Sequence, residues 1–308
     1  MMKRCISGIL VSIFIFSTGA KAEERAARDS ASNPKSGKEA SQEYSEAGKW
    51  LQIAGSTGDA RAQYNLGVLY LNGNRKDVQQ DYAEAARWFL LSAKQGFAKS
   101  QFNLAVMYDN GQGVAQDSVE AARWYRLAAE QGTVDAQFNL GVMYENGQGV
   151  MQDFAESAKW YRLAAEQGYG QAQYNLGVLY LKINGKGVRE DFGEAAKWFR
   201  LAAGQGNVQA QYNLGVMCEN GQGVPRDFAE AASRYEAAAE KGYGQAQYNL
   251  GVLYLKGNGV KQDIAMAKEW FVRACNNGLE EGCAAYRKLK ATESEQGSIR
   301  PLMIVNKR

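Results

Sequence analysis

Few residues in this chain could do chemistry, because the sequence contains no histidine. Histidine is the commonest general base, a frequent metal ligand and the usual pH switch, so its absence removes all three roles. One Ser-x-x-Lys sequence, Ser32-Asn33-Pro34-Lys35, has the spacing of a penicillin-reactive serine. No Ser-Asp-Asn or Lys-Thr-Gly follows it, and its polar surroundings offer no rigid neighbours to hold a reactive serine.

Acidic residues recur at a spacing of three, and helix capping explains them. An aspartate followed three residues later by a glutamate is typical of a helix start. The pairs are Asp81/Glu84, Asp117/Glu120, Asp153/Glu156, Asp191/Glu194 and Asp227/Glu230, whereas Asp263 is followed by Met266. Glycine pairs such as Gly147/Gly149 lack the lysine and the strand of a phosphate-binding loop. We therefore predict a protein without catalytic residues, metal or cofactor.

One motif occurs six times and defines the elements that carry these residues. Its core reads Ala-Gln-(Tyr/Phe)-Asn-Leu-Gly-Val-(Leu/Met)-Tyr with minor departures, and successive copies lie 36 or 38 residues apart. This period is typical of stacked repeats rather than of one enzyme domain. Each copy holds two helical patterns separated by a Gly-x-Gly turn. The sequence predicts an all-α solenoid of stacked antiparallel helix pairs, wound as a right-handed superhelix.

A glycine recurs in the middle of the first helix of each copy. It stands at Gly67, Gly141, Gly177, Gly215 and Gly251, with Ala105 in the second copy. Glycine in a helix interior costs about 1 kcal/mol relative to alanine. Its recurrence therefore predicts that two helices approach too closely at this point for a β-carbon.

These motifs resemble the Sel1-like repeat family, which is related to the tetratricopeptide repeats. The resemblance covers about four fifths of the chain. In one copy it rests on Ala136, Leu140, Gly141, Tyr144, Gly147, Gly149, Val150, Asp153, Ala158, Trp160, Tyr161, Ala164, Ala165 and Gly168. It implies a role as an adaptor that brings proteins together. Several secreted bacterial members of that family act at the envelope or on host cells.

The two ends of the chain differ in composition from the repeats. Residues 1–22 have the basic, apolar and small-residue parts of a secretory signal peptide. An uncleaved membrane anchor is the alternative, although the apolar run at 6–16 is short for a span. We assign 23–42 to a disordered polar spacer, 43–290 to a half repeat, six repeats and a terminal helix, and 291–308 to a flexible tail. The predicted location is the periplasm or the exterior, without a stable membrane span after cleavage.

The charge of the mature chain bears on its partners. Removing residues 1–22 leaves 33 of the 36 basic residues against 33 acidic ones. A neutral chain gives no electrostatic reason to bind nucleic acid or an anionic membrane. We predict a monomer whose partner is another protein or peptide.

Three cysteines remain after removal of Cys5 with the signal peptide. Cys275 and Cys283 bracket the turn between the last two helices, where antiparallel packing brings such positions together. Their spacing also resembles that of the helix-clamping disulfides in cysteine-rich Sel1-like proteins. We predict a disulfide, with two buried free thiols as the alternative. Cys218 replaces a recurring tyrosine, and we interpret it as a small buried hydrophobic residue.

Two rows of side chains on the first helices are the candidate partner-binding surface. In the solenoids that this chain resembles, the first helices line the concave side. The rows are Tyr64, Phe102, Phe138, Tyr174, Tyr212 and Tyr248, and Asn65, Asn103, Asn139, Asn175, Asn213 and Asn249. Amides can hold a peptide backbone and aromatic rings can take its apolar side chains. The alternative is that both rows serve packing between repeats and bond to neighbouring backbone.

The predicted function is a non-catalytic protein-interaction scaffold. An envelope-glycan or muropeptide binder is the first alternative, because aromatic rows also suit sugars. A β-lactam hydrolase is a remote alternative, suggested only by the cysteine-rich relatives.

Overall fold

The computed structural model describes residues 53, 55–73, 78–181 and 190–298. The regular elements of this part of the chain are thirteen α-helices. They are α1 (Ala60–Asn72), α2 (Tyr82–Lys94), α3 (Ala98–Asn110), α4 (Ser118–Glu130), α5 (Val134–Asn146), α6 (Phe154–Glu166), α7 (Gly170–Leu181), α8 (Phe192–Gly204), α9 (Val208–Asn220), α10 (Phe228–Ala239), α11 (Gly244–Lys256), α12 (Ile264–Asn276) and α13 (Glu280–Ser298). The signal peptide, Ser32, the spacer and the start of the half repeat lie outside the described residues.

Each helix packs against the helix before it and the helix after it. This confirms the predicted all-α solenoid of stacked helix pairs. We call α1, α3, α5, α7, α9 and α11 the first helices, and α2, α4, α6, α8, α10 and α12 the second helices. One pair of first and second helices makes one repeat. The last helix, α13, continues to Ser298 and so passes the expected boundary at residue 290.

The aspartates begin the second helices, as predicted. The Asp153 carboxylate accepts hydrogen bonds from the Ala155 and Glu156 backbone amides at 2.8 and 3.1 Å. Asp81, Asp117, Asp191, Asp227 and Asp263 cap their helices in the same way. The amides at a helix start have no partner within the helix, so the side chain satisfies them.

The Asp153→Ala change tests this assignment. We expect it to lower the free energy of unfolding by about 0.5–2 kcal/mol, the range for a lost N-cap. Denaturant melts of the two proteins would measure the difference. A loss as large as that from removing a buried aromatic ring would contradict a capping role.

The core of the repeats is built from alanines, a leucine and a methionine or second leucine of the first helix, and aromatic rings of the second helix, which include the buried tryptophans Trp124, Trp160, Trp198 and Trp270. One of these rings is buried most completely. The ring belongs to the second helix, at Phe89, Tyr125, Tyr161, Phe199, Tyr235 and Phe271, and none of these is more than 2% exposed. Leu140 and Ala136 of α5 are fully buried beside it. Small residues let the helices approach closely, and the large ring fills the space between them.

The mid-helix glycines make room for these rings. A β-carbon on Gly141 would lie 2.6 Å from the Tyr161 ring, and one on Gly215 would lie 2.7 Å from the Tyr235 ring. The predicted close approach is therefore present, and its partner is mainly an aromatic side chain rather than helix backbone. Ala105 stands at this position in the second repeat and faces Tyr125, so one methyl group can be accommodated where the ring is placed for it.

Buried glutamine side chains form hydrogen bonds between consecutive helices, which the repeat motif alone did not indicate. The buried Gln137 side chain donates to the Ala129 carbonyl of the preceding repeat at 3.1 Å and accepts from Gln167 at 2.8 Å. The other such pairs are Gln95 to Gln63, Gln131 to Gln101, Gln205 to Gln173 and Asn277 to Gln247. Buried amides need such partners because an unsatisfied polar atom is costly.

A disulfide joins Cys275 of α12 to Cys283 of α13, with the two Cα atoms 4.6 Å apart. It ties the terminal helix to the last repeat, as predicted. Cys218 is a buried free cysteine with 4% of its surface exposed. Both findings agree with the sequence interpretation of these three residues.

Candidate functional site: the face of the first helices

One side of each first helix is less buried than the side that carries the core alanine and leucine. In α5 the 3.6-residue period places Asp135, Phe138, Asn139, Val142 and Glu145 on this side, opposite the buried Ala136 and Leu140. We call this side, repeated along the first helices, the first-helix face. It carries both of the predicted rows.

The aromatic row is half-buried and packs against the core rings. Phe138 lies 5.7 Å from Tyr161 of the same repeat and 5.0 Å from Tyr169, which begins the next repeat. Each of the other row members lies 5.6–5.9 Å from the buried ring of its own repeat: Tyr64, Phe102, Tyr174, Tyr212 and Tyr248. Such tilted contacts stabilise aromatic pairs beyond the area that they bury. The row therefore contributes to packing, and it also leaves part of each ring at the surface.

The asparagine row lies beside tyrosine hydroxyls of the preceding repeat. Burial raises the pKa of the Tyr125 hydroxyl and the nearby Asn139 side chain offsets part of this rise, and Asn175 acts in the same way on Tyr161. The other pairs are Asn103 with Tyr64, Asn213 with Tyr174, and Asn249 with both Tyr212 and Tyr235. Asn175 also accepts a hydrogen bond from Gln171 of its own helix at 3.0 Å. The proximity of a tyrosine hydroxyl gives a physical reason for asparagine in a helix interior, where its propensity is low.

Each of the first five repeats has a tyrosine either in the aromatic row or at the core-ring position. Where the row residue is phenylalanine, the core ring is tyrosine, as in Phe102/Tyr125 and Phe138/Tyr161. Where the core ring is phenylalanine, the row residue is tyrosine, as in Tyr64/Phe89 and Tyr174/Phe199. The fifth repeat has tyrosine at both places, Tyr212 and Tyr235.

Buried core tyrosines occur together with an acidic residue on the first-helix face. The Tyr161 hydroxyl donates to the Glu145 carboxylate at 2.9 Å, and the Tyr235 hydroxyl donates to Glu219 at 2.7 Å. Burial raises the pKa of both hydroxyls, and the neighbouring carboxylates raise it further. These tyrosines therefore stay protonated and serve as hydrogen-bond donors.

The described residues on this face do not form a nucleophile activated by a base. The free thiol of Cys218 lies in the core, and burial raises the pKa of this thiol above its usual value. A reactive cysteine requires the opposite shift, since the thiolate is the nucleophile. The arrangement offers amides, half-exposed rings and carboxylates, which suit binding.

The structure also bears on the membrane. Among the residues that it describes, no helix combines the length and the apolar character that crossing a bilayer requires.

The comparisons with known proteins agree with this architecture. The Sel1 repeat family model matches residues 60–97, 98–133, 134–169, 170–207, 208–243 and 244–279. A search of curated proteins gave no match. Proteins built from Sel1 repeats generally serve as scaffolds for protein interactions.

Two solved structures are similar in both sequence and fold. One is c5321, a protective antigen present in uropathogenic Escherichia coli strains, at 35% identity and a TM-score of 0.68 over 81% of this chain. This chain spans 57% of the length of that protein. The other is a Sel1 repeat protein from Oxalobacter formigenes, at 32% identity and a TM-score of 0.56, with 70% of this chain and 85% of that one covered. The repeats, their packing and these relatives together show that the chain belongs to the Sel1 repeat family.

Proposed function

We propose that this protein is a non-catalytic scaffold of the bacterial envelope, periplasmic or secreted, that binds another protein through its first-helix face. The observation that carries the proposal is the pair of side-chain rows that six successive first helices place on one face. The half-exposed rings supply apolar contact area at low conformational cost. The asparagines, which lie beside tyrosine hydroxyls of the preceding repeat, can offer amide atoms to a bound chain.

The proposed location rests on two observations. Residues 1–22 have the composition of a secretory signal peptide. The Cys275–Cys283 disulfide is of the kind that persists in oxidising compartments.

The test enlarges exposed side chains on the first-helix face and leaves the rings and asparagines of the two rows unchanged. Gln171, Gln209 and Gln245 are exposed at equivalent positions of α7, α9 and α11, one turn before the asparagines. We expect the triple change Gln171→Arg, Gln209→Arg and Gln245→Arg to abolish capture of the partner, because three long side chains would cover the surface beside the rows. Crosslinked pull-down from the native envelope, followed by mass spectrometry, would measure capture.

A matched control places the same side chain on the opposite side of the solenoid. Leu91, Leu163 and Leu201 of the second helices are 46%, 38% and 46% exposed. The Leu91→Arg, Leu163→Arg and Leu201→Arg protein should capture the same partner as the unmodified protein. If the glutamine variant is folded by circular dichroism and still captures that partner, the first-helix face is not the binding surface.

A further inference from the structure

Charge is distributed unevenly between the two faces of the solenoid. The first helices α5, α7 and α9 contain three acidic residues, Asp135, Glu145 and Glu219, and no lysine or arginine. The neighbouring helix α3 adds Asp109 near its end and one exposed base, Lys99, at the position equivalent to Asp135, so these four first helices contain four acids and one base. The second helices α4, α6, α8 and α10, in contrast, each contain arginine or lysine.

Six acids of the second helices form an ion pair within their own helix: Glu84 with Arg87, Glu120 with Arg123, Glu156 with Lys159, Glu194 with Lys197, Glu230 with Arg234 and Glu269 with Arg273. Exposed pairs of this kind contribute little to stability. Glu130, Glu166 and Glu236 of the second helices form no such pair among the described residues. Even so, α4, α6, α8 and α10 together contain seven acidic and seven basic residues, so the charge of the second helices is balanced.

Three acids of the first-helix face have no such partner. Among the residues that the structure describes, no lysine or arginine forms an ion pair with Asp109, Asp135 or Glu219. Burial raises the pKa of the Asp109 carboxyl, so its charged form is kept at a cost in free energy. The Tyr235 hydroxyl holds Glu219 in place through one carboxylate oxygen. A cation brought to this face would therefore meet fixed negative charge that the protein itself leaves uncompensated.

We propose that the first-helix face, from α3 to α9, docks an extended protein segment that carries lysine or arginine side chains. The partner's cations lie against Asp109, Asp135 and Glu219, and its apolar side chains lie against the neighbouring rings of the row. The aromatic rings add to the attraction, because a cation over a ring face is favoured. This inference rests on the proposed function, and it names the chemistry of the partner at the same face.

The test uses three synthetic probes on the full folded protein. They are fluorescein-labelled peptides of fifteen residues, five repeats of Gly-Ser-Arg, of Gly-Ser-Gln or of Gly-Ser-Glu, and their dissociation constants are measured by fluorescence anisotropy. We expect the arginine peptide to bind, and the glutamine and glutamate peptides to bind at least about tenfold more weakly. The affinity for the arginine peptide should fall as salt is raised, since the contacts are electrostatic.

Two variants with equal charge changes locate the attraction. The Asp109→Asn, Asp135→Asn and Glu219→Gln protein should bind the arginine peptide about tenfold more weakly, as three partly buried charge pairs are lost. The Glu84→Gln, Glu120→Gln and Glu156→Gln protein carries the same change in net charge on the opposite face, and its affinity should stay within about twofold of the unmodified protein.

Two results would overturn the inference. One is equal binding of the arginine peptide by the first-helix variant and the unmodified protein. The other is an equal loss in both variants, which would mean that only net charge matters. Neither result would affect the scaffold proposal, which fails only if the Gln171/Gln209/Gln245 variant still captures its partner.

Discussion

Replacing Tyr161 with alanine is expected to lower the free energy of unfolding by about 3–5 kcal/mol, the range for removing a large buried aromatic side chain. Tyr161 is fully buried, and its ring lies against Gly141 of the facing helix. The cavity would open between the two helices of one repeat, where the surrounding alanines cannot extend to fill it. Denaturant melts followed by circular dichroism would measure the loss.

The Tyr161→Phe change is the matched control for this prediction. Phenylalanine stands at the same position in three other repeats, at Phe89, Phe199 and Phe271. The change keeps the ring and removes only the hydroxyl that donates to the Glu145 carboxylate. We expect a cost of about 1.5–3 kcal/mol, typical of a hydrogen bond to a charged group. A similar cost for the alanine and phenylalanine variants would show that the ring itself is not what holds the repeat together.

Local features of this fold could be predicted from the sequence. Asp153 and Glu156 lie within one turn of each other, so their capping role depends only on neighbouring residues. Gly141 recurs at a fixed period, and its unfavourable helix propensity pointed to a close contact. The repeat period itself led to the stacked helix pairs. These inferences succeeded because each depends on spacing along one short stretch of chain.

Contacts between repeats were harder to predict. The contact between Asn139 and Tyr125 depends on how one repeat is positioned on the next, which spacing along a helix does not give. The bond from Gln137 to the Ala129 carbonyl is of the same kind. For this reason the sequence showed the asparagine row, but not the tyrosines that lie beside it.

One signal of these contacts was present in the sequence and becomes evident when the repeats are aligned. Tyrosine at the core-ring position accompanies an acid on the first helix, whereas phenylalanine accompanies leucine. The first set is Tyr125/Asp109, Tyr161/Glu145 and Tyr235/Glu219, and the second is Phe89/Leu71, Phe199/Leu181 and Phe271/Leu255. Paired changes of this kind mark residues in contact. The acids of the first-helix face are thus partly a consequence of core packing, and their charge remains available to a partner.

Gly149→Ala is the second change for which we expect a large loss of stability, about 2–5 kcal/mol. Gly149 has a φ of +65°, in the left-handed region, where a side chain costs roughly 1–2 kcal/mol. An added β-carbon would also overlap the Ser118 carbonyl at the start of α4 and would lie 2.8 Å from the Val119 nitrogen. Overpacking of this kind adds about 1–3 kcal/mol. The turn of one repeat would be pushed away from the helix start of the repeat before it.

The Gly132→Ala variant separates the two contributions to this loss, the strain of the left-handed backbone and the overlap with the preceding repeat. Gly132 also has a positive φ, +86°, but a β-carbon there would meet nothing within 4 Å. It should therefore cost only the strain of the left-handed backbone, about 1–2 kcal/mol. The difference between the two variants in denaturant melts measures the contact between the turn of one repeat and the backbone of the previous one. Equal losses would mean that backbone conformation alone requires Gly149, and that stacking of the turns contributes nothing to the stability of the solenoid.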